Sequence, residues 1–247
     1  MRVEVLPLGG LPEIREGDRL GELLAKSARP QEGDALVVSQ KVVSKAEGRV
    51  RRLADVEPSE RARELAARLG KDPALVQLVL YESAAIVRAE AGVLITETRS
   101  GWICANAGID SSNVAEDGWV TLLPVDPDAS ARRLRSEVRA ASGHAPAVVI
   151  SDSFGRPWRL GQADVAIGCA GLAPLDDWRG RLDRTGRELA ATVVALADEI
   201  AAAADLVREK NAGLPAALVR GLGARVKDGD GPGAAVVQRP APDDLFR

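Results

Sequence analysis

The sequence predicts an α+β fold of mixed, largely antiparallel sheets and packed helices in two intimate lobes. Three observations carry that prediction. Short β-branched runs bounded by turn residues recur along the chain. Helical stripes lie between several of them without a steady βαβ alternation. Two strand-like runs also flank Ala91-Gly92 as the arms of a hairpin would, which favours antiparallel pairing. A chain of 247 residues, 46% of them hydrophobic, is long enough to bury a large core.

Taken in order, residues 3–6 form the first strand, and Asp18 stands as the N-cap of a helix through Ala28. Residues 35–39 form a second strand, followed by a loop carrying Lys41, Ser44 and Lys45. Ser59 caps a helix through Leu69, whose alternating charges mark a solvated amphipathic face. Strands follow at 84–88, 93–98 and 120–125. Asp126-Pro127 opens a helix that ends near Gly143, because proline suits a first helical turn and glycine the residue past the last one. Residues 147–150 are a short buried strand. The longest helix candidate spans 187–210, where Leu189, Val193, Leu196, Ile200 and Leu206 make a stripe amid alanines. The glycine-rich stretch 227–233 reads as a mobile turn. No repeat or polar linker divides the chain, so a single domain over 1–247 is expected, with lobe boundaries undefined.

Charge and cysteine usage narrow the class of function. With 33 basic against 36 acidic residues there is no electrostatic footprint for nonspecific nucleic-acid binding. Cys104 and Cys169 have no CxxC spacing and suit reduced thiols in a cytoplasmic protein rather than a disulfide scaffold or a zinc site. No uninterrupted apolar run is long enough to cross a bilayer, and the first residues lack the layout of a signal peptide, so no membrane association is expected. His144, the single histidine, follows a helix-ending glycine and reads as a loop residue, which leaves histidine-based catalysis without a candidate.

Two acidic turns carry the chemistry. In Ile150-Ser151-Asp152-Ser153-Phe154-Gly155-Arg156-Pro157-Trp158-Arg159-Leu160-Gly161-Gln162 an apolar strand delivers an acid, hydroxyls, arginines and turn glycines to one place. The carboxyl end of such a strand is where open α/β sheets put their ligands, and Asp152 sits there. Gly108-Ile109-Asp110-Ser111-Ser112-Asn113-Val114 has the same character. Magnesium or manganese prefers hard oxygen ligands and often needs only one or two protein carboxylates beside substrate phosphates, so Asp110 and Asp152 together fit one cation. The competing reading is that Asp110 and Ser111 merely satisfy backbone donors of a turn. There is no GxxxxGK[ST] and no strand-linked GxGxxG, so phosphate binding would rest on lysines such as Lys41 and Lys45 acting as point charges. Arg156 and Arg159 suit either a phosphate or a neighbouring acid, and Trp158 reads as a core residue.

Those two segments resemble the core motifs of the coenzyme F420-0:L-glutamate ligase family. Further matches are Leu11-Pro12-Glu13-Ile14 with Gly17-Asp18, Ser39-Gln40-Lys41-Val42-Val43-Ser44-Lys45-Ala46-Glu47-Gly48-Arg49, and the closing Asp244-Leu245-Phe246-Arg247. The resemblance spans essentially the whole chain in the family's order. It implies that Leu11, Pro12, Glu13, Ile14, Gln40, Lys45 and Asn113 lie near GTP. It further implies that Asp110 and Asp152 hold a first divalent cation, and that Ser153 and Glu209 belong to a second. Asp110, Asp152 and Lys45 would then be the catalytic set, with Glu209 also in a nucleotide-binding segment. At that segment many relatives carry a Met-Gly-type stretch where this chain has Val207-Arg208.

The implied cofactors are two Mg2+ or Mn2+ ions per site, with room for a monovalent cation, and GTP as co-substrate. The implied partners are L-glutamate, coenzyme F420-0 and a second copy of the chain in a homodimer. The reaction would add glutamate to the lactyl carboxylate through an acyl phosphate, then further glutamates through γ-linkages. A fused flavin-binding domain found in some bacterial relatives is not expected here. A metal-dependent phosphohydrolase using Asp110 and Asp152, or a noncatalytic nucleotide- or deazaflavin-binding protein, are the alternatives in other classes.

Overall fold

The structure, a computed structural model, describes residues 2–112 and 117–244. Asn113 and the last three residues, 245–247, lie outside the described residues.

The chain runs β1 (Glu4–Leu8), α1 (Leu20–Ala28), β2 (Ala35–Ser39), α2 (Gln40–Ala46), β3 (Val50–Arg52), α3 (Glu60–Leu69) and α4 (Pro73–Glu82). It continues through β4 (Ser83–Glu90), β5 (Val93–Thr98), β6 (Ile103–Ala105), β7 (Trp119–Thr121), α5 (Pro127–Ser142), β8 (Ala147–Arg156) and β9 (Arg159–Ala170). It closes with β10 (Asp176–Asp177), β11 (Val193–Val194), α6 (Leu196–Asp205) and β12 (Ala216–Arg220). The principal sheet has the order β1-β12-β2-β8-β9, in which β2 and β8 are parallel and the other neighbours antiparallel. Smaller antiparallel sheets pair β4-β5-β6, β3-β7 and β10-β11. The α+β class and the largely antiparallel pairing are as the sequence predicts.

Two hydrophobic clusters hold this arrangement. The larger surrounds the principal sheet, where Leu36, Val37, Val38, Val148, Val149 and Ile150 are fully buried and α1, α5 and α6 supply Leu24, Leu134 and Ile200. The two central strands read as continuous apolar runs because both of their faces are covered. The smaller cluster joins α3, α4, β5 and β7 through Ala62, Leu69, Val76, Val79, Leu94 and Val120.

Local chemistry explains the boundaries that were legible. Ser59 and Asp126 cap their helices by accepting from Ala62 N and Ala129 N, and Gly70 and Gly143 end them in the left-handed conformation. Ala91 and Gly92, both at positive φ, make the tight turn between β4 and β5.

Other elements depart from the expectation. The long helix over 187–210 is only Leu196–Asp205, and its amino-terminal third is instead an exposed stretch leading into the β10-β11 pair. Asp18 does not cap α1; its carboxylate accepts from Arg15 N, and the helix starts from Arg19 without a side-chain cap. The strand predicted at 120–125 is observed as Trp119–Thr121, and Pro124 has no amide to continue a ladder. The lysine-bearing loop is the helix α2.

The buried strand at 147–150 runs on as β8 to Arg156 and turns back into β9, which was not anticipated. The glycine-rich stretch 227–233 is pinned, because Arg135 donates to the carbonyls of Lys227 and Asp228 and to the carboxylate of Asp230.

Candidate active site

A cleft of about 1110 Å³ opens at the carboxyl ends of the parallel strands β2 and β8, where Ser39 pairs with Ser151. Its walls come from five segments: residues 11–14, the start of α2, the turn from Cys104 to Ser112, the β8-β9 hairpin and the stretch 205–215 after α6. This is the location favoured for ligands in sheets with parallel neighbours, and the volume exceeds that of an ordinary single-ligand pocket, about 300–1,000 Å³. The two acidic turns meet here. Asp110 and Asp152 line the same cleft, together with Lys41, Lys45, Ser153 and Glu209.

Asp110 is held on its backbone by reciprocal bonds to Thr121 and on its side chain by Ser112 N at 2.6 Å and Lys41 Nζ at 2.8 Å. Burial works to raise its pKa, but the bonds from Lys41 and Ser112 outweigh burial and hold the carboxyl below its ordinary value. The turn that delivers it is conformationally demanding. Asn106, Ala107 and Gly108 are all at positive φ, a conformation that costs a residue with a Cβ on the order of 1 kcal/mol. Gly108 is also required sterically, since a Cβ there would stand 2.6 Å from Leu123 Cγ. Asn106 lines the cleft, and its Oδ1 is buried without a partner among the described residues.

Asp152 behaves in the opposite way. Burial pushes its carboxyl up to about 7; the backbone bond at Ser153 opposes this most, the nearby charges of Asp164 and Asp110 add to the rise, and Lys41 opposes it least. A carboxylate in that position is short of positive charge.

Behind it lies a buried polar cluster. Asp164, on β9 opposite Ser153, accepts from Ser151 Oγ at 2.8 Å, from Ser153 Oγ at 2.6 Å and from Arg208 Nη2. Lys210 Nζ donates to Ser153 Oγ at 2.8 Å and lies 3.2 Å from Asp205 Oδ1. One extra residue on β9 shifts the register between Ile150 and Ser151, at the point where β8 leaves the core and begins to line the cleft.

Lys41 and Lys45 are four residues apart and therefore share one face of α2. Lys45 Nζ is held by Glu13 Oε1 at 2.5 Å, which ties the segment Leu11, Pro12, Glu13, Ile14 to the helix. Glu209 lines the cleft from an exposed segment beyond α6 rather than from the end of a helix.

Gln40 is not on the cleft wall. It is fully buried, with Oε1 accepting from Ser44 Oγ and Nε2 lacking a partner among the described residues. Trp158 is 86% exposed at the tip of the β8-β9 hairpin, not in the core, because Arg156 to Arg159 form the turn itself. Arg156 donates to Leu160 O, and neither Arg156 nor Arg159 lines the cleft.

Asp164, Arg208, Lys210 and Asp205 belong to no site that the sequence predicts. The available signal was a lone acid within the apolar run Ala163-Asp164-Val165-Ala166-Ile167, a residue type that a buried strand carries only with partners. Cys104 and Cys169 are free and buried, and desolvation pushes both thiols up to about 12. Among the described residues there is no group of three or more His, Cys, Asp or Glu placed to hold a metal by themselves, and no helix is long and apolar enough to cross a membrane.

A fold of this class thus brings two acids and two lysines to one cleft. Comparison with known proteins gives the family. The profile described as F420-0:Gamma-glutamyl ligase matches residues 10–221. A protein of Archaeoglobus fulgidus named Coenzyme F420:L-glutamate ligase is 49% identical over 90% of this chain and 89% of its own length. Proteins of the same name from Methanopyrus kandleri and Methanothermobacter thermautotrophicus are 46% and 42% identical over all of this chain and over 98% and 100% of their own lengths. The chain belongs to the F420-0:gamma-glutamyl ligase family.

Proposed function

We propose that this chain is a GTP-dependent ligase that joins L-glutamate to coenzyme F420-0 through an acyl phosphate and then adds γ-linked glutamates. The observation that carries this reading is the convergence of Asp110 and Asp152 in one cleft with Lys41, Lys45 and the 11–14 segment, in a member of a family whose named relatives are coenzyme F420:L-glutamate ligases.

A free carboxylate is a poor electrophile, so amide formation needs a leaving group. In the first step a carboxylate oxygen of F420-0 attacks the γ-phosphorus of GTP. The bond from that phosphorus to the bridging oxygen breaks, and GDP leaves with the electron pair. In the second step the glutamate amine attacks the acyl carbon, the bond from carbon to the phosphate oxygen breaks, and the amine proton passes to phosphate or solvent.

Lys45 and Lys41, now neutralised by Glu13 and Asp110, supply positive charge for the triphosphate. Gln40, on the buried side of the helix that carries both lysines, has an amide donor with no partner among the described residues and would support that wall. Asp110 and Asp152 would hold one divalent cation, and Ser153 with Glu209 a second. The charge-poor carboxyl of Asp152 fits such a ligand, since a cation there removes the penalty that holds its pKa near 7. When bound, Mg2+ or Mn2+ neutralises the transferred phosphoryl group. The same reading makes the protein a cytoplasmic homodimer.

The test is incubation with GTP, a manganese or magnesium salt, L-glutamate and F420-0, followed by mass spectrometry. One glutamyl increment accompanied by GDP release is expected. GTP turnover that is indifferent to glutamate, with no new product, overturns the ligase in favour of a phosphohydrolase.

A further inference from the structure

We propose that Asp164 is a positioning residue that fixes the direction of the Ser153 hydroxyl, leaving only oxygen lone pairs to face the cleft. The inference rests on the two-cation reading above. Asp164 is 5% exposed, and its Oδ1 accepts the Ser153 hydroxyl at 2.6 Å while its Oδ2 accepts Ser151 Oγ and Arg208 Nη2. A serine hydroxyl has a single proton. With that proton committed to Asp164, Ser153 Oγ is an acceptor toward everything else.

Lys210 reads it that way already. Its Nζ donates to Ser153 Oγ at 2.8 Å, with Asp205 Oδ1 at 3.2 Å and Asp164 Oδ1 at 3.8 Å, so a positive charge finds three oxygens at this point. A hydroxyl pointing its proton into the cleft would repel a cation there, whereas the observed arrangement attracts one. Arg208, also 5% exposed, supplies the counter-charge that a buried carboxylate needs, and Ser151 completes the anchor.

Replacing the carboxylate by an amide tests the idea with almost no change of shape. In Asp164→Asn the amide oxygen stays with Arg208 and Ser151, and the NH2 turns toward Ser153. Ser153 Oγ then accepts that bond, and its proton is released toward the cleft. The experiment titrates Mn2+ alone into wild type, Asp164→Asn, Ser153→Ala and the double variant, reading free Mn2+ by electron paramagnetic resonance and checking folding by circular dichroism. If Asp164→Asn unfolds around an unpaired Arg208, Asp164→Asn with Arg208→Met removes both charges and keeps the hydroxyl geometry in question.

Asp164→Asn is expected to weaken one class of Mn2+ site on the order of 10- to 100-fold, the range for groups that orient metal ligands. Ser153→Ala should lose as much, and the double variant no more than Ser153→Ala alone. Asp164→Asn that binds Mn2+ like wild type, or losses that multiply in the double variant, overturn the positioning role. Wild type that binds no Mn2+, or Asp152→Asn that binds it undiminished, overturns the cation reading itself and the inference with it.

Discussion

At the scale of single residues, the two acids of the cleft differ because their burial and their partners differ. Asp110 has Lys41 at 2.8 Å and Ser112 N to hold its carboxyl below the ordinary range against burial, whereas burial first, and then the charges of Asp164 and Asp110, push Asp152 up to about 7. For Asp152 the folded pKa lies above the unfolded value of 3.8, so between these pH values the folded state keeps a proton that the unfolded state has lost. Its contribution to stability therefore falls as pH rises from about 4 to about 7, and the whole penalty is present above 7. Metal-free wild type should lose thermal stability relative to Asp152→Asn as pH is raised from 5 to 8, while Asp152→Asn forms no glutamylated product. Parallel melting curves for the two proteins at both pH values would show that Asp152 bears no such strain.

Gly108 makes a second residue-scale prediction. Gly108→Ala combines a Cβ at φ +70° with overlap on Leu123, so a loss of about 2–4 kcal/mol is expected in urea denaturation, with weakened Mn2+ binding as the turn carrying Asp110 moves.

At the scale of elements, termini with dedicated chemistry were legible, and those set by packing were not. Ser59, Asp126, Gly70 and Gly143 each do locally what their residue type does in any chain. Ser59→Ala should accordingly cost about 1 kcal/mol by urea titration and leave ligase turnover unchanged, because α3 does not line the cleft. A turnover defect matching the stability loss would place α3 nearer the chemistry than the structure does.

The helix α4 carries the same aspartate-proline start as α5, with Asp72 accepting from Leu75 N, yet its run Ala-Leu-Val-Gln-Leu-Val-Leu has no polar face and so no readable period. The segment 187–210 shows the converse, a readable period without a continuous helix. Alanines and spaced leucines suggested one long helix, but Val193 and Val194 pair with Asp176 and Asp177, and the helix waits until Leu196 can enter the core. The strand β9 has no single sequence pattern, because its first half is polar and exposed while its second half is buried.

At the scale of the whole molecule, closure depends on one buried cation. Arg135 directs all five of its N–H donors to Ala145 O, Pro146 O, Lys227 O, Asp228 O and Asp230 Oδ1, joining α5 to the chain beyond β12. No other side chain supplies that planar fork. Arg135→Lys should destabilise the fold by about 3–5 kcal/mol, the range for breaking a buried charge network, and hydrogen exchange should accelerate in residues 223–233 before it does in β2 or β8. Unchanged exchange in 223–233 would show that the segment is held by something else.

The sequence by itself determined the class of fold, the capped helix ends, the Ala91-Gly92 hairpin and the residue types able to meet a cation and phosphates, because each of these rests on neighbours within a few positions. Tertiary structure alone decided that Asp110 and Asp152 share a cleft, that Lys41 and Lys45 stand on a helix facing it, and that Asp164, Arg208 and Lys210 form the ground beneath Ser153. Those contacts join residues 11 to 71 positions apart, and no local propensity encodes such a pairing; only the parallel docking of β2 on β8 and the bulged return of β9 bring them within hydrogen-bonding distance.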